Sequence, residues 1–474
     1  MQDTLFSDWA NMNALNHACC GIDLSSTFHC AFLPPYLVDP IDETTEGRGK
    51  IFNFDCDTTG LEALADCLEH YGVEQVVMEA TGNFWFGVYE ILNRRGLKVC
   101  VANPLHARNI AGRKTDEADA EWLCRLHTFG LLRSSFIPEQ EAWELRALMR
   151  QRDNAIKDRS TYVLRIQKEL DAMNVKLHKV ISDTMGGAGM AIVRHIAGGV
   201  PAADTDWCSF RTPNLRSNEE DFERALKGSY TGYGCFLLSQ HLEMYDKLTA
   251  QIESLDRYAE RILFATTQGL TDEQLENLPQ DEFLRPLRGK RGQLLKRTTS
   301  KNAPLYDQAS YLKEIIGVDV TKIPGMGAQT VLNIISETGT DLGSQFASAA
   351  HFASWLQLSP NQKFSGGKQL GHKRVTNANR VHQLFRDCSY SLQNSKTYFG
   401  QFYRSLKMRS NGKNANKAVA HKLCVIFYNM VTRQQEYDES KVVPKANTEE
   451  RKLRKLIAQA RKMGLQLTPA EPLA

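Results

Sequence analysis

Apolar residues recur at intervals of seven positions in two separate stretches of this chain. The first stretch, 141–180, holds two such series: Met149, Ile156, Val163, Leu170 and Leu177, and beside them Leu145, Ile166, Met173 and Val180. The second stretch repeats the pattern with Leu238, Tyr245, Ile252 and Ala259, and with Leu248, Leu255 and Ile262. This period predicts two long helices with a coiled-coil seam, which Arg152 and Arg159 interrupt. Such helices either fold on each other as an antiparallel hairpin or join two subunits, and the sequence does not choose between these arrangements.

The segment before these helices, 17–104, alternates short apolar runs with segments of helical spacing. Strands are predicted for HACCGIDLS, TFHCAFLP, KIFNFDC, EQVVMEA and LKVCVANP. Helices are predicted for 59–71 and 84–95. The first two strands follow each other closely, as in a hairpin, and the later ones alternate with helices. We therefore expect an α/β domain with a mixed sheet and covering helices.

Composition excludes several classes of protein. A chain of 474 residues is expected to form about two to four domains. No apolar run approaches the length of about 18 residues that a membrane span needs, and 1–16 lack the basic start and apolar core of a secretory signal. The 11 cysteines are scattered and include no CxxC pair, so neither a zinc site nor a disulfide framework is expected. Free thiols in a reducing cytoplasm are the simplest interpretation.

Basic residues are concentrated in two segments. Residues 361–422 carry 13 Lys or Arg and a single acid, Asp387, and residues 285–301 carry seven basic residues and no acid. A solvated basic surface is the plain alternative, but such one-sided clusters are typical of proteins that bind nucleic acid. We therefore expect a nucleic-acid partner.

Four acidic residues stand at positions where a carboxylate requires an explanation. Asp23 and Glu79 follow apolar strand segments, and Asp116 and Asp119 lie three apart in TDEADA, where Thr115 is a good helix cap. Each acid alone is more simply explained as a strand-end or helix-start charge. Together they suggest one cleft, in which divalent cations would remove their mutual repulsion. Oxygen ligands without a His/Cys cluster favour Mg²⁺ or Mn²⁺, with two ions roughly 4 Å apart for phosphoryl transfer.

GIDLSST also resembles the first phosphate loop of actin-like ATPases and sugar kinases. That interpretation lacks support further along the chain. No later glycine-rich DxGG loop occurs, and a kinase would leave the TDxxDA pair and the basic C-terminal half without a role.

The segment LSPNQKFSGGKQLGHKR contains Ser365 directly before two glycines. Glycine lets a backbone approach a ligand closely, and nearby lysines could hold phosphates while the hydroxyl attacks a phosphodiester. By its chemistry alone, the segment is better explained as a flexible turn with solvated lysines. Upstream, IPGMGAQTVLNIISETG (323–339) is typical of a helix-hairpin-helix turn or of an ordinary glycine turn. In the first case Gly325 and Gly327 would expose backbone N–H groups to a phosphate.

Taken together, GIDLSS, MEATG, NPLHARNIAGRKTDEADA, IPGMG and LSPNQKFSGGK resemble the DEDD insertion-sequence transposases. This group is related to the Piv-type DNA invertases and includes the bridge-RNA-guided recombinases. The resemblance covers roughly 17–180 and 318–435 and implies a RuvC-like (RNase H-like) N-terminal domain, a helical coiled-coil middle and a mostly α C-terminal domain bearing a serine nucleophile. A Gln replaces a Gly that usually begins the serine loop in the family, and 184–317 is longer than the family pattern.

The resemblance assigns roles to the residues. Asp23, Glu79, Asp116 and Asp119 would bind magnesium, and Ser365, rather than nearby Ser359, would form a covalent phosphoserine link to DNA. Bridge-RNA guidance is implied by the resemblance alone. The residues expected to contact nucleic acid are Arg113, Lys114, Arg288, Lys290, Arg291, Lys296, Arg297, Gly325, Gly327, Lys363, Gly366, Gly367, Lys368, Lys373 and Arg374.

The sequence therefore predicts a recombinase of a mobile element, acting as a homodimer or tetramer on donor and target DNA in a bacterial or archaeal cytoplasm. The predicted domains are a catalytic domain over 1–140, a coiled coil with an insertion over 141–265, a basic linker over 266–317, a serine-bearing domain over 318–435 and a basic tail over 436–474. A RuvC-like junction-resolving or structure-specific nuclease would use the acids with water and not the serine. A non-catalytic nucleic-acid binder would tolerate loss of the acids.

Overall fold

The computed structural model describes residues 15–38, 49–103, 115–132, 134–137, 140–199, 205–213, 215, 217–289, 292–295, 301–360, 362–366, 368–372, 379–442, 456–461 and 463–466. The chain divides into two compact units, Met1–Ile137 and Pro138–Ala474. Within the described residues, no helix has the length and apolar character needed to cross a membrane.

The first unit is built on a five-stranded sheet. Its strands are β1 (Cys19–Leu24), β2 (Phe28–Leu33), β3 (Lys50–Asp55), β4 (Gln75–Glu79) and β5 (Lys98–Ala102), and their order in the sheet is β3-β2-β1-β4-β5. β1–β2 and β2–β3 pair antiparallel, whereas β1–β4 and β4–β5 pair parallel. The predicted mixed sheet, including its opening hairpin, is confirmed.

Helices cover both faces of this sheet because side chains alternate along each strand. Helices α1 (Thr58–His70) and α2 (Trp85–Arg94) pack on the face formed by Cys20, Ile22, Leu24, Val76 and Met78. Helix α3 (Asp116–Thr128) packs on the opposite face, where Cys19 meets Cys124 and Val77 meets Leu123. Each strand of the central pair is thus buried on both sides, which explains its almost continuous apolar sequence.

The two heptad stretches form one antiparallel helical hairpin in the second unit. Helix α4 (Gln140–Ala172) packs along α8 (Gly232–Gln268). Contacts between Arg152 and Asp256 and between Arg159 and Thr249 run in opposite chain directions, which defines the antiparallel arrangement. The structure therefore selects the hairpin within one chain.

The first heptad stretch is not one continuous helix, and this part of the prediction is wrong. Helix α4 ends at Ala172, and Asn174 adopts a left-handed conformation with φ of 58°. The Val175 N–H donates to the Leu170 carbonyl at 2.8 Å, which closes the helix end in the manner of a Schellman motif. The last predicted seam residues, Leu177 and Val180, begin and end a separate short helix, α5 (Leu177–Val180).

The segment between the hairpin helices, whose role the sequence left open, packs on their distal end. Helices α6 (Gly187–Ala197) and α7 (Glu219–Leu226) contribute Ile192, Val193 and Phe222 to a core that includes Ile166 and Leu242 of the hairpin. Burial of these side chains stabilises the hairpin end by the hydrophobic effect. The insertion is thus a helical cap.

The sequence predicts a basic polar linker over 266–317, after the hairpin. Its described part contains short α9 (Asp272–Glu276) and α10 (Gln308–Ile316). Buried Glu260 of α8 accepts hydrogen bonds from the N–H groups of Leu284 and Arg285 and from the Tyr311 hydroxyl. These bonds attach the middle of the segment and its last helix to α8, and the predicted boundary at 265 falls inside α8.

The remainder is mostly helical. It contains α11 (Ala328–Thr338), α12 (Leu342–Gln345), α13 (Ala349–Trp355), the strands β6 (Gln362–Ser365) and β7 (Lys368–His372), and then α14 (Arg380–Ser391), α15 (Tyr398–Arg409), α16 (Gly412–Arg433) and α17 (Glu439–Val442). Ring contacts of Phe385 with Phe352 and Phe427 lie in its interior. Glu337 of α11 accepts hydrogen bonds from Arg150 of α4, which joins these helices to the hairpin.

Candidate active site

Asp23 and Glu79 lie near the carboxyl ends of neighbouring parallel strands. Ile22 of β1 is in register with Met78 of β4, so the two acids follow side by side. By the alternation of side chains, Asp23 shares a sheet face with Cys19 and Gly21, and Glu79 shares a face with Val77. Cys19 and Val77 both pack against α3. Both acids therefore belong to the face that α3 covers.

Helix α3 brings the other two acids to the same edge. The Thr115 hydroxyl accepts a hydrogen bond from the Ala118 N–H at 3.3 Å, as the sequence predicted, so the helix begins at Asp116. Asp116 is exposed and Asp119, about one turn further on, is half-buried. Carboxylates in this first turn are also favoured by the helix dipole.

Gly21 in β1 sets how closely α3 can approach the sheet. A Cβ at this position would lie 2.1 Å from the Ala120 carbonyl oxygen and 2.6 Å from the Cys124 backbone nitrogen. Because both are backbone atoms of α3, any larger residue would push the helix away from the strand that carries Asp23. Gly21 is not among the residues predicted from the sequence, although a glycine inside a strand is a known sign of close backbone approach.

The charges of three other acids act on the Asp23 carboxylate. The pKa of Asp23 is raised to about 6, first by burial and then by the charges of Asp116, Asp119 and Glu79. A hydrogen bond from the backbone N–H of Leu24 opposes this shift. The structure thus places Asp116, Asp119 and Glu79 close enough to Asp23 for their negative charges to raise its pKa.

Oxygen donors without histidine or thiolate fit a hard divalent cation such as Mg²⁺ or Mn²⁺. In the part of the chain that the structure describes, however, no group of three or more His, Cys, Asp and Glu side chains is arranged to hold a metal ion. The chemistry of the four acids suits a cation, but they do not form a ready-made cage. Their side chains would have to turn toward a shared point.

Ser365 lies in the second unit, at the tip of a two-stranded hairpin. It ends β6, pairs with Lys368 of β7 and is followed by Gly366, whose φ of +54° favours glycine. Both Ser365 and Lys368 are exposed. The hairpin therefore presents a hydroxyl and an ammonium group side by side to solvent. The sequence predicts a loop around Ser365, whereas the structure has two paired strands there.

The structure describes some of the other residues that are predicted to contact nucleic acid. Arg288 is exposed and donates to the Gly292 carbonyl at 3.0 Å. Gly325 has a φ of +82°, and a Cβ there would meet Leu392 and the Cys388 carbonyl of α14, so its glycine also serves packing. Gly327 is the N-cap of α11. Outside the described residues lie Arg113, Lys114, Lys290, Arg291, Lys296, Arg297, Gly367, Lys373 and Arg374, and the side chain of Lys363 is not described either.

Comparison with known families gives two matches. Residues 20–175 match a model described as a transposase of the DEDD IS110 type. Residues 319–404 match a model described as the transposase IS116/IS110/IS902 family. The two matched regions together span about half of the chain and contain the four acids and Ser365 respectively. No curated protein matches the chain.

Proposed function

The chain carries two IS110-family transposase domains, and from this premise we propose that it is a metal-dependent DNA recombinase that cuts and rejoins strands through Ser365. The observation that carries the proposal is the approach of three acids to Asp23, which raises its pKa to about 6. Repulsion between these negative charges opposes folding unless a bound cation or a substrate compensates it. DNA cleavage and transfer are the activities that the transposase domains imply.

The acids have separate tasks in this proposal. Asp23 and Glu79, fixed by paired strands, would hold a divalent cation from the sheet side, and Asp116 and Asp119 would hold it from the start of α3. When bound, the cation supplies positive charge that stabilises the developing negative charge of a phosphodiester under attack. Gly21 is a positioning residue, because it keeps α3 close to β1.

Ser365 would be the nucleophile. Its Oγ forms a bond to phosphorus, the bond from phosphorus to one deoxyribose oxygen breaks, and the proton of the serine hydroxyl passes to a base while the released oxygen is protonated. The phosphoserine link keeps one phosphodiester bond for each one broken, so a second strand's hydroxyl can reverse the step without ATP. Lys368, paired with Ser365 across the hairpin, would attract the phosphate.

Nucleic acid would be held by the basic segments. Backbone N–H groups at Gly327 and the start of α11 would bind a DNA phosphate, in the manner of a helix-hairpin-helix motif. The acids belong to the first unit and Ser365 to the second, and in an assembly of two or four copies they would act in one subunit or across two. Exchange of two duplexes requires such an assembly.

A covalent trap tests the mechanism. The protein is incubated with DNA and Mg²⁺ and denatured, and peptides linked to DNA are identified. We expect a link at Ser365 that is absent in Ser365→Ala, with Ser359→Ala as the matched control that retains it. Continued cutting by Ser365→Ala without a link would identify a RuvC-like nuclease, and binding without cutting by the wild-type protein would identify a non-catalytic binder.

Guidance by a bridge RNA is proposed for the segment 285–301. Two of the seven basic residues are unsuitable for substitution because they form ion pairs within the protein: Arg285 pairs with Glu314, and Lys301 pairs with Asp183. Only the other five basic residues are therefore changed to Gln: Arg288, Lys290, Arg291, Lys296 and Arg297. We expect RNA retention to fall and to become less sensitive to salt. Unchanged retention would remove this segment from the proposal.

A further inference from the structure

A cleft of about 940 Å³ lies between the last helices of the second unit. One wall is a half-buried face of α16, and Phe402 of α15 and the segment at Leu358 and Pro360 form the others. Lys441 of α17 closes one side. The volume is in the range of pockets that bind small molecules or parts of a larger ligand. None of the four acids is among its lining residues, and α16 lies beyond the region matched by the second family model.

The wall on α16 follows the helical repeat. Lys417, Ala418, His421, Lys422 and Val425 are spaced by three and one along the helix and are half-buried. The positions between them, such as Val419, Leu423 and Phe427, are buried in the interior. The helix therefore has a buried inner face and a second, mixed face that lines the cleft.

The charge of the cleft is one-sided. The described residues that line it include Lys417, Lys422 and Lys441, and none of them is Asp or Glu. Neither α15 nor α16 contains an acidic residue. The pKa of Lys417 is lowered by burial and by the charge of Arg386, so this ammonium group lacks a compensating anion among the described residues around it. An anionic ligand would supply that charge.

The aromatic side chains of the cleft indicate what kind of group accompanies the anionic part of the ligand. Lys422 Nζ lies 5.1 Å from the centre of the Phe402 ring, and Tyr398 stacks on Phe402 with an interplanar angle of 12°. Burial and two lysines lower the pKa of His421, so its imidazole is held neutral and offers both a donor and an acceptor. A flat ring that carries hydrogen-bonding groups matches this environment.

We propose that this cleft binds an unpaired nucleotide of the DNA or RNA, with its base against Phe402 and His421 and its phosphates on Lys417 and Lys422. Apolar walls with surrounding cations are the combination used for single-stranded nucleic acid. A base inside a duplex is stacked and cannot enter a cleft, so the site selects a base that has left the helix. The inference rests on the proposed function, since it assumes a nucleic-acid substrate.

The test uses the full chain and a short single-stranded oligonucleotide carrying one fluorescent base analogue, with the same sequence annealed as a duplex for comparison. Phe402→Leu keeps apolar volume and removes the aromatic ring, and Ala418→Trp fills the cleft without changing its charge. We expect both variants to bind the single strand more weakly by on the order of tenfold and the duplex almost normally. Quenching of the base analogue should be lost in parallel.

A matched pair separates the cleft from general charge attraction. Lys422→Gln and Lys407→Gln each remove one positive charge, but Lys407 is exposed on α15 and does not line the cleft. Lys407→Gln should weaken both forms of DNA equally, whereas Lys422→Gln should weaken the single strand more. Thermal unfolding of each variant verifies that it is folded.

The outcomes separate this inference from the proposed function. If Ser365 forms its DNA link while Phe402→Leu and Ala418→Trp bind the single strand as the wild-type protein does, the nucleotide cleft is disproved and the recombinase stands. If an acidic peptide competes for the cleft and the oligonucleotide does not, the site belongs to a protein partner and the inference is again disproved. If the wild-type protein binds no nucleic acid, both proposals fail.

Discussion

Asp23 in the sheet unit and Asp256 in the helical hairpin are two partly or fully buried acids with opposite surroundings. Burial raises the pKa of both carboxyl groups. Asp256 accepts hydrogen bonds from buried Arg152 at 2.5 and 3.2 Å, and the Arg152 guanidinium also donates to the Asn302 carbonyl. The charges that most affect Asp23 are three further acids.

The difference indicates what each charge is for. The Arg152–Asp256 pair is balanced within the chain, so its loss should affect folding first. The charges that act most on Asp23 are those of other acids, and their repulsion of its carboxylate should cost stability in the absence of a cation or substrate. A substitution at Asp23 should therefore lower activity and preserve or raise stability. A substitution at Asp256 should mainly lower stability.

Replacement of Asp23 should have the largest effect on activity. Asp23→Asn removes a proposed cation ligand, and we expect formation of the Ser365–DNA link to fall on the order of 10³-fold, comparable to losing a group that stabilises transition-state charge. The melting temperature should be unchanged or higher, because repulsion is relieved. Glu117→Gln in the same helical turn is the control and should retain activity. Near-normal linking by Asp23→Asn would contradict the assigned role.

Replacement of Asp256 should have the largest effect on stability. Asp256→Asn leaves the Arg152 charge buried without its anion, which should cost about 3–5 kcal/mol of unfolding free energy. Denaturant unfolding measures this loss. The control is Glu253→Gln on the same helix, whose pair with Arg257 is exposed and should contribute less than about 1 kcal/mol. Equal effects of the two substitutions would show that the buried pair does not stabilise the hairpin.

The contact of α3 with β1 should be sensitive to a single methyl group. Gly21→Ala places a Cβ against the α3 backbone and should cost about 1–3 kcal/mol, and it should reduce activity by displacing Asp116 and Asp119. Gly87→Ala in α2 is the matched control, since its Cβ would meet only Leu61 at 3.4 Å. That change should stabilise the unit slightly, because alanine favours helix. Normal stability and activity of Gly21→Ala would exclude the close approach.

Acidification should give the smallest effect. Burial lowers the pKa of His29, His127 and His382, and the buried His382 ring contacts the Leu356 carbonyl at 2.6 Å through Nδ1. The unfolded chain therefore binds more protons, and unfolding free energy should fall as the pH drops below about 6.5. Protonation of Asp23 acts oppositely near pH 6, so the measurement is made in Asp23→Asn. Adding His382→Gln should flatten the pH dependence, and an unchanged slope would exclude His382.

The sheet unit was largely predictable because its signals are local. Apolar runs, the capping Thr115 and the spacing of Asp116 and Asp119 each determine the structure of a few neighbouring residues. The choice of Gly21 as the contact for α3 depends on residues about 100 positions apart, and the order of the strands depends on the pairing of β1 with β4, whose residues lie 56 positions apart. No periodicity reports such a contact.

In the second unit, the seven-residue apolar period predicts the helices but not where the first of them ends. It continues past Ala172, but Asn174 ends the helix through its backbone conformation. The seam positions beyond this point remain apolar because α5 packs into the same core. The choice of a hairpin within one chain depended on Asp256 as the partner of Arg152, and the seven-residue spacing contains no information about that pairing.

The buried Arg152–Asp256 pair also fixes the register of the hairpin. A slide of α4 by one heptad along α8 would move the guanidinium about 10 Å and place it opposite Thr249 or Leu263, neither of which can neutralise its charge. We expect the two helices to resist such sliding, as polar residues in a coiled-coil seam do. The hairpin should therefore move as one rigid body. Its capped end and the end attached to Glu337 should rotate together.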